Sequence, residues 1–197
     1  MVKKYKNNGN LRALVEELNN FKTNAALEHA VLKNVDGEYT RLIGNEDKVK
    51  FSLRKSETYE YIIHNHPSGS LIPSPEDLYT IYKADSAKIY SNEACFLIQT
   101  NNGTLSIEIE DRDAFEVFAL GCLMTEKVRD NINRFIFIDL LSEPTYDELL
   151  TKDALNKVIA YYSQYGLKFA YTDGDGQGKE WSYAKVSSTM VTYNDCI

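Results

Sequence analysis

Two histidines and an aspartate form the pattern in this sequence that is best suited to chemistry. His64 and His66 follow directly on residues 59–63, a run of aromatic and β-branched residues that predicts a strand. Side chains at positions i and i+2 of a strand face the same side, so both imidazoles can reach one metal ion while Asn65 turns to the other side. Asp77 is the third ligand that we expect.

The segment between His66 and Asp77 predicts a constrained loop followed by a helix. Three of the four prolines of the chain lie at residues 67–75 together with several serines, which excludes regular structure there. Ser74 occupies the N-cap position and Pro75 the first helical position, and the first turn is acidic. The helix is expected to run to about residue 87, and its first turn can return the Asp77 carboxylate to the strand end.

Two imidazoles and one carboxylate are typical ligands of a hydrolytic zinc site. Structural zinc is usually held by four protein ligands, whereas three ligands leave a position for water, and the metal can then polarise water and a carbonyl. Such a site also needs a general base, usually a glutamate, which the residue pattern alone does not identify. Taken alone, the histidine pair also fits a polar strand end, and Ser74 with Asp77 also fits an ordinary helix cap. Taken together, the pieces favour a Zn²⁺ site.

Composition excludes several other classes of function. The net charge of −7 argues against general binding to nucleic acid or to anionic membranes. The lysines at positions 3, 4 and 6 are interpreted as a solvated end. Three widely spaced cysteines without a CxxC pair predict neither a disulfide framework nor a cysteine zinc site. The first residues lack the apolar run of a signal peptide, and no stretch of about 18 apolar residues could span a bilayer, so a cytoplasmic protein is expected.

The N-terminal part predicts a helix and a hairpin. Apolar residues at helical spacing over residues 11–18 indicate a short amphipathic helix. Residues 25–32 and 39–43 are apolar runs on either side of the turn-like Asp36-Gly37, which predicts two paired strands.

Beyond the helix at Pro75, further elements are predicted. Residues 94–100 and 104–110 indicate a second hairpin around Asn102-Gly103, and residues 112–131 have the apolar periodicity of one long helix.

The last third predicts a mainly helical extension. A capping box formed by Thr145 and Glu148 opens a helix expected to reach about Gly166, and residues 169–171 and 181–183 predict a terminal β-hairpin. We therefore divide the chain into a metal-binding domain, residues 1–131, and an extension, residues 132–197.

The motif resembles that of a known family. His64-Asn65-His66-Pro67-Ser68-Gly69, followed by Pro73-Ser74-Pro75-Glu76-Asp77, is similar to the JAMM motif of the JAB/MPN family, in which Ser-x-x-Asp begins ten residues after the first histidine of His-x-His-Pro. The residues of the motif are most similar to those of RadC-type proteins and of JAB-like domains in phage and bacterial accessory proteins, and we favour the broader JAB class. The resemblance is sharp over residues 63–77, extends by order of elements over residues 11–131, and is absent beyond. It implies an α/β (α+β) fold with a mixed sheet flanked by helices, and zinc-dependent cleavage of peptide or isopeptide bonds.

Carried over to this chain, the resemblance assigns five residues. His64, His66 and Asp77 would be the zinc ligands, and the hydroxyl of Ser74 would steady the tetrahedral intermediate. Glu28 would be the acid/base, by its placement on the first strand after the N-terminal helix, 36 residues before His64. The neighbouring His29 would face the opposite side of that strand and is left out of the site.

The sequence thus predicts a zinc metallopeptidase or isopeptidase. Its substrate would be a protein or peptide, with a ubiquitin-like conjugate as one candidate. The alternative is a non-catalytic JAB/RadC-like module in a phage or DNA-maintenance assembly, whose C-terminal segment is the working surface. A nuclease-like or other hydrolytic zinc enzyme stays open, because the ligand set does not reveal the substrate.

Overall fold

The described chain contains both strands and helices, with most of the helices in one run between two groups of strands. The computed structural model describes residues 3–6, 27–44, 49–50, 53, 56–173 and 178–181. The helix predicted over residues 11–18 lies outside the described residues, as do residues 25 and 26 of the first predicted strand.

The described elements combine a mixed sheet with helices, so the predicted α/β class is confirmed. The strands are β1 (Lys3–Lys6), β2 (His29–Asn34), β3 (Glu38–Ile43), β4 (Tyr59–Asn65), β5 (Tyr90–Thr100), β6 (Gly103–Ile109), β7 (Leu167–Asp173) and β8 (Gly178–Trp181). The α-helices are α1 (Pro75–Ser86), α2 (Arg112–Cys122), α3 (Glu126–Phe135), α4 (Tyr146–Leu149) and α5 (Lys152–Tyr162).

The chain divides into two compact units. The first consists of Met1–Leu71, Ala84–Ser106 and Thr172–Gln177, and the second of Ile72–Lys83, Ile107–Tyr171 and Gly178–Ile197. The division at residues 131/132, drawn from the sequence, stays a prediction.

The strands of the first unit pair in both directions, so its sheet is mixed. Its strand order begins β1-β3-β2-β4-β5. β2 pairs antiparallel with β3 and with β4, whereas β4 and β5 are parallel. Parallel neighbours need a crossover connection, and the chain between β4 and β5 contains the motif loop and α1. The motif that begins with His64 therefore starts at the carboxyl end of a central strand.

Both faces of β4 are buried. Ile63 belongs to a cluster with Val31, Tyr39, Cys95 and Leu97. Ile62 and His64 point to the other face, by the alternation of a strand, and both are fully buried. Burying an aliphatic side chain stabilises a fold by roughly 1.5–3 kcal/mol. The packed core thus holds the strand that carries the histidines.

The first residues form a strand that the sequence did not predict. Lys3–Lys6 pairs antiparallel with β3 along Glu38–Arg41, where a solvated end was expected. This strand is the first in the sheet order, and three of its four residues are lysines. Lysines are common in edge strands, where their charge discourages further pairing.

Two predicted long helices are each interrupted. The helix expected over residues 112–131 ends at Cys122, and α3 begins at Glu126 because Thr125 caps it by accepting a hydrogen bond from the Val128 N–H. The capping box of Thr145 and Glu148 is confirmed.

The helix opened by that capping box is short. It ends at Leu149, and Thr151 caps a new helix, α5. In both interrupted helices, apolar periodicity continued across a threonine whose capping function outweighed it.

Contacts between aromatic rings and a glycine in the left-handed conformation occur where the last helix of the second unit ends. The rings of Phe118 and Tyr165 are stacked with centroids 4.1 Å apart, and Tyr162 contacts Phe118 edge-on. Gly166 follows in the left-handed conformation with φ of 78° and starts the return into β7. Strands β7 and β8 are neighbours in the sheet order, where the terminal hairpin was predicted; residues 182 and 183 of that prediction lie outside the described residues.

Two general predictions can also be compared with the structure. Cys95 and Cys122 are buried, as their apolar surroundings suggested, but the structure records Cys122 in a disulfide, which the spacing of the cysteines did not predict. Over the described part of the chain, no helix has the length and apolar character needed to cross a membrane.

Candidate metal centre

The two motif histidines converge at the end of β4. His64 is the penultimate residue of the strand and is fully buried, and His66 follows the strand directly. Their Nε2 atoms lie 2.9 Å apart. Such a separation suits either a hydrogen bond between one protonated and one unprotonated nitrogen, or two lone pairs directed at a shared cation.

A backbone carbonyl fixes the tautomer of His66. Its Nδ1 lies 2.9 Å from the carbonyl oxygen of Ser70. Because a carbonyl can only accept, Nδ1 carries a proton, and in the neutral imidazole the lone pair is then on Nε2. The carbonyl thus orients the ring in the way that the partners of metal-binding histidines usually do.

Ser74 and Asp77 form a reciprocal cap at the start of α1. The backbone N–H and the hydroxyl of Ser74 both donate to Oδ2 of Asp77, each at 2.7 Å. The Asp77 N–H donates in return to Ser74 Oγ at 3.2 Å. The helix start predicted from Ser74 and Pro75 is therefore observed, and the Asp77 carboxylate is held in one orientation. Both bonds end on Oδ2, so they are compatible with a metal contact through Oδ1.

The three predicted ligands form one cluster in the structure. One ligand atom from each of His64, His66 and Asp77 lies within 4.8 Å of the other two. Zinc ligands at about 2.0–2.1 Å in a tetrahedral arrangement stand about 3.3 Å apart. The two imidazole nitrogens are close to that separation, and rotation of a side chain can supply the remaining movement of about 1.5 Å. The donor set fits a divalent cation with three protein ligands.

Glu28 lies beside the histidine pair. Its Oε1 is 4.0 Å from Nε2 of His64, and the residue is buried. The sequence predicted Glu28 on the first strand, whereas it immediately precedes β2 and its carbonyl accepts a hydrogen bond from the Gly44 N–H at 2.8 Å. The acid/base assignment stays a prediction, but the carboxylate is near enough to share a water molecule with the site.

Asn65 is a residue of the site that the sequence reasoning missed. It was expected only to turn away from the metal, and it is buried with its carboxamide bonded to backbone. Oδ1 accepts from the His29 N–H at 2.6 Å, and Nδ2 donates to the carbonyl of Leu27 at 3.3 Å. The two bonded peptide groups are those on either side of Glu28. An asparagine between two histidines was the only signal in the sequence.

Asn102 supports the motif loop from a distant part of the sequence. The loop turns after the histidines, where the Gly69 N–H donates to the His66 carbonyl at 2.9 Å and Gly69 adopts φ of 77°. Nδ2 of Asn102 donates to the Gly69 carbonyl at 3.0 Å. Asn102 had been assigned only to the turn between β5 and β6, so this second contact was not predicted.

The third histidine of the chain is outside the ligand cluster. His29 is buried, and burial, followed by the charge of Arg41, lowers the pKa of its imidazole below the ordinary value of 6.5. A buried imidazole of this kind stays neutral over a wider pH range because protonation would put a charge in a poorly solvated place near a guanidinium. Among the described residues the cluster consists of His64, His66 and Asp77, so His29 is not part of it.

No protein-family model matches the chain, and a search of curated proteins finds none that is significantly similar. The function of the centre is therefore inferred from its own residues. Two imidazole nitrogens and an oriented carboxylate can hold a cation, and a second buried carboxylate lies 4.0 Å from one of those imidazoles. That combination is suited to metal-assisted hydrolysis.

Proposed function

We propose that this protein is a JAMM-type, JAB/MPN-like zinc metallo-hydrolase that cleaves a peptide or isopeptide bond. The observation that carries the proposal is the convergence of the His64 and His66 Nε2 atoms at 2.9 Å beside the Glu28 carboxylate, 4.0 Å from His64. A structural metal site would have no use for the second carboxylate, because zinc in such sites is satisfied by its ligands alone.

His64, His66 and Asp77 would hold the metal. Zinc bound there would supply a Lewis acid that polarises a water molecule and the scissile carbonyl. The ring of His66 is already oriented by the Ser70 carbonyl and the carboxylate of Asp77 by Ser74, so little side-chain freedom would be lost when the cation binds.

Glu28 would act as the proton carrier. Its carboxylate would accept the proton of the attacking water and deliver it to the leaving amine, which is the usual function of a glutamate in such hydrolases. The general base must be able to reach the water, directly or through a single intervening water, and a separation of 4.0 Å from a ligand histidine allows this.

Ser74 has one hydroxyl for two tasks. In the structure the hydroxyl hydrogen is donated to Asp77, so orientation of that carboxylate is the task supported by a contact. The predicted contribution to the tetrahedral intermediate requires the hydroxyl to turn from Asp77 toward the substrate oxygen during the reaction.

The substrate class follows from the resemblance of the motif. We propose a protein or peptide substrate, with a ubiquitin-like conjugate as the first candidate, and a cytoplasmic location. Cleavage of a phosphodiester by the same centre is an alternative that the net charge of −7 makes less favourable, since a polyanionic substrate would be repelled.

Metal analysis and two variants test the proposal. The purified protein should contain about one equivalent of zinc, and H66A should lose it. Glu28→Ala should keep the zinc and lose roughly 10²–10⁴-fold in the rate of cleavage of a ubiquitin-like conjugate or a peptide library. His29→Ala is the matched control, because it removes a buried imidazole outside the cluster and should leave the zinc in place.

Three results would count against parts of the proposal. If the wild-type protein takes up no zinc, the whole proposal is wrong. Zinc retained by H66A would remove His66 from the ligand set. Full zinc occupancy without cleavage of any conjugate or peptide would favour the non-catalytic JAB-like module.

A further inference from the structure

We propose that Asn65 is a positioning residue that holds the backbone of Glu28 so that its carboxylate faces the metal centre. The inference rests on the proposed function of Glu28 and adds a residue to that site. It is carried by the two hydrogen bonds of the buried Asn65 carboxamide, which go to His29 and Leu27.

The regular pairing of β2 with β4 stops just before Glu28. Ala30 opposite His64 is the last pair of the antiparallel register. Continuing the register by one and two residues would put His29 opposite Asn65 and Glu28 opposite His66. The strands pair no further, so the peptide groups around Glu28 need another partner.

The side chain of Asn65 takes the place of that missing backbone partner. In an extended chain the N–H of residue i+1 and the C=O of residue i−1 point to the same side, here toward β4. Asn65 accepts from the His29 N–H at 2.6 Å and donates to the Leu27 carbonyl at 3.3 Å, so one carboxamide binds both peptide groups that flank Glu28.

The opposite side of Glu28 is also held. Its own carbonyl accepts from the Gly44 N–H at 2.8 Å, directly after β3. Glu28 is therefore fixed from the β3 side by Gly44 and from the β4 side by Asn65, although it lies outside the regular strand. Two-sided support of this kind fixes the direction in which the side chain leaves the backbone.

A carboxamide supplies both of the groups that these two contacts need. The site requires one acceptor and one donor on the same planar group, which asparagine has and aspartate, leucine and alanine lack. An amide buried in this way costs free energy unless both ends are bonded, and here both are. Because Asn65 stands between two ligand histidines, the strand end that holds the metal also sets the position of the base.

Asn65→Ala tests the proposal, with Asn34→Ala as the matched control. Asn34 is another buried asparagine of the β2 region whose Oδ1 bonds a backbone N–H, that of Glu38, at the far end of the strand. Asn65→Ala should accelerate hydrogen exchange at the His29 amide at least tenfold while amides in the middle of β2 stay protected. It should keep about one equivalent of zinc and lower kcat about 10²-fold with KM unchanged, since a displacement of about 1 Å costs that much. Asn34→Ala should change neither the His29 exchange rate nor kcat.

A second variant covers the case in which Asn65→Ala fails to fold. Asn65→Asp keeps the volume and the acceptor for the His29 N–H but loses the donor to Leu27, so it should retain most of the His29 protection and reduce kcat by a smaller factor. Unchanged His29 exchange or unchanged kcat in Asn65→Ala would overturn the proposal. The exchange experiment requires neither zinc nor substrate. If the protein bound no zinc and cleaved nothing, the proposed function would be wrong, but the exchange rate at His29 would still decide whether Asn65 holds the Glu28 segment.

Discussion

Three side chains of the candidate centre are oriented by hydrogen bonds to the main chain. The Ser70 carbonyl holds His66, the Ser74 backbone N–H holds Asp77, and Asn65 is bonded at both ends of its carboxamide. Main-chain partners move little when side chains repack, so the centre is largely preformed before a cation binds. Preformed ligands reduce the entropy lost on binding.

Ser74→Ala separates helix capping from support of the ligand. The variant loses the hydroxyl bond to Asp77 Oδ2 and the N-cap acceptor for the Asp77 N–H. Zinc affinity should fall about 10- to 100-fold, as expected for a partner that orients a metal ligand, and stability should fall by about 1 kcal/mol. Competition with a chromophoric chelator and thermal melting measure the two effects.

The control for Ser74→Ala is Thr125→Ala at the start of α3. Thr125 accepts a comparable cap bond from Val128 but is not part of the ligand cluster. It should cost similar stability and leave zinc affinity unchanged. If Ser74→Ala also leaves zinc affinity unchanged, the function of the Ser74 side chain is limited to capping the helix.

The cluster of candidate ligands could be predicted from the sequence, but the residues that support it could not. His64, His66 and Asp77 have a short, characteristic spacing, and the chemistry of imidazole and carboxylate is specific. Asn65 and Asn102 act through hydrogen bonds to residues more than 30 positions away, and these contacts exist only after the strands have paired. No local pattern reports such contacts.

At the scale of elements, the turns between strands were easier to predict from the sequence than the breaks within the predicted long helices. The turn at Gly37 and the reversal between β5 and β6 carry glycine signals that were recognised. The breaks before Thr125 and Thr151 were missed because apolar periodicity continues through them. A threonine on a helix surface and a threonine at an N-cap look alike until the surrounding packing decides between them.

Gly166→Ala should strongly destabilise the second unit. Gly166 has φ of 78°, and an added Cβ would stand 2.2 Å from the Asp111 carbonyl oxygen and 2.9 Å from the Phe115 nitrogen. Its carbonyl also accepts from the N–H groups of Glu110 and Asp111, so the backbone cannot move away without losing bonds. The left-handed conformation alone costs roughly 1–2 kcal/mol, and the overlap should raise the loss in unfolding free energy above about 2 kcal/mol.

Gly37→Ala provides the comparison for that measurement. Gly37 has the same φ of 78° but lies in the turn between β2 and β3. Chemical denaturation should show a smaller loss, close to the conformational cost alone. Equal losses in the two variants would mean that crowding at Gly166 is relieved by local movement.

Stability of the whole molecule should depend on pH through His29. Burial and then Arg41 lower the pKa of this imidazole in the folded state below 6.5. A lowered pKa means that the unfolded chain binds the proton more readily, so the contribution to stability is complete above pH 6.5 and is lost as pH falls from there through the folded-state pKa. The unfolding free energy of the wild-type protein should therefore decline on acidification from about pH 7.

His29→Gln should flatten that decline. The difference between the two proteins, measured by denaturant titration at several pH values, isolates His29 because the other titrating groups are common to both. A wild-type slope that the variant reproduces in full would show that His29 contributes nothing to it.

The pairing of β2 with β4 has a consequence for the order of assembly. His64 and His66 are two positions apart and can chelate a cation in a chain that is not yet folded, whereas Glu28 reaches them only after a separation of 36 residues has been closed. Binding of a cation by this pair can therefore precede the pairing of β2 with β4 during folding. The proposed hydrolysis cannot, because its base comes close to the histidines only in the folded sheet.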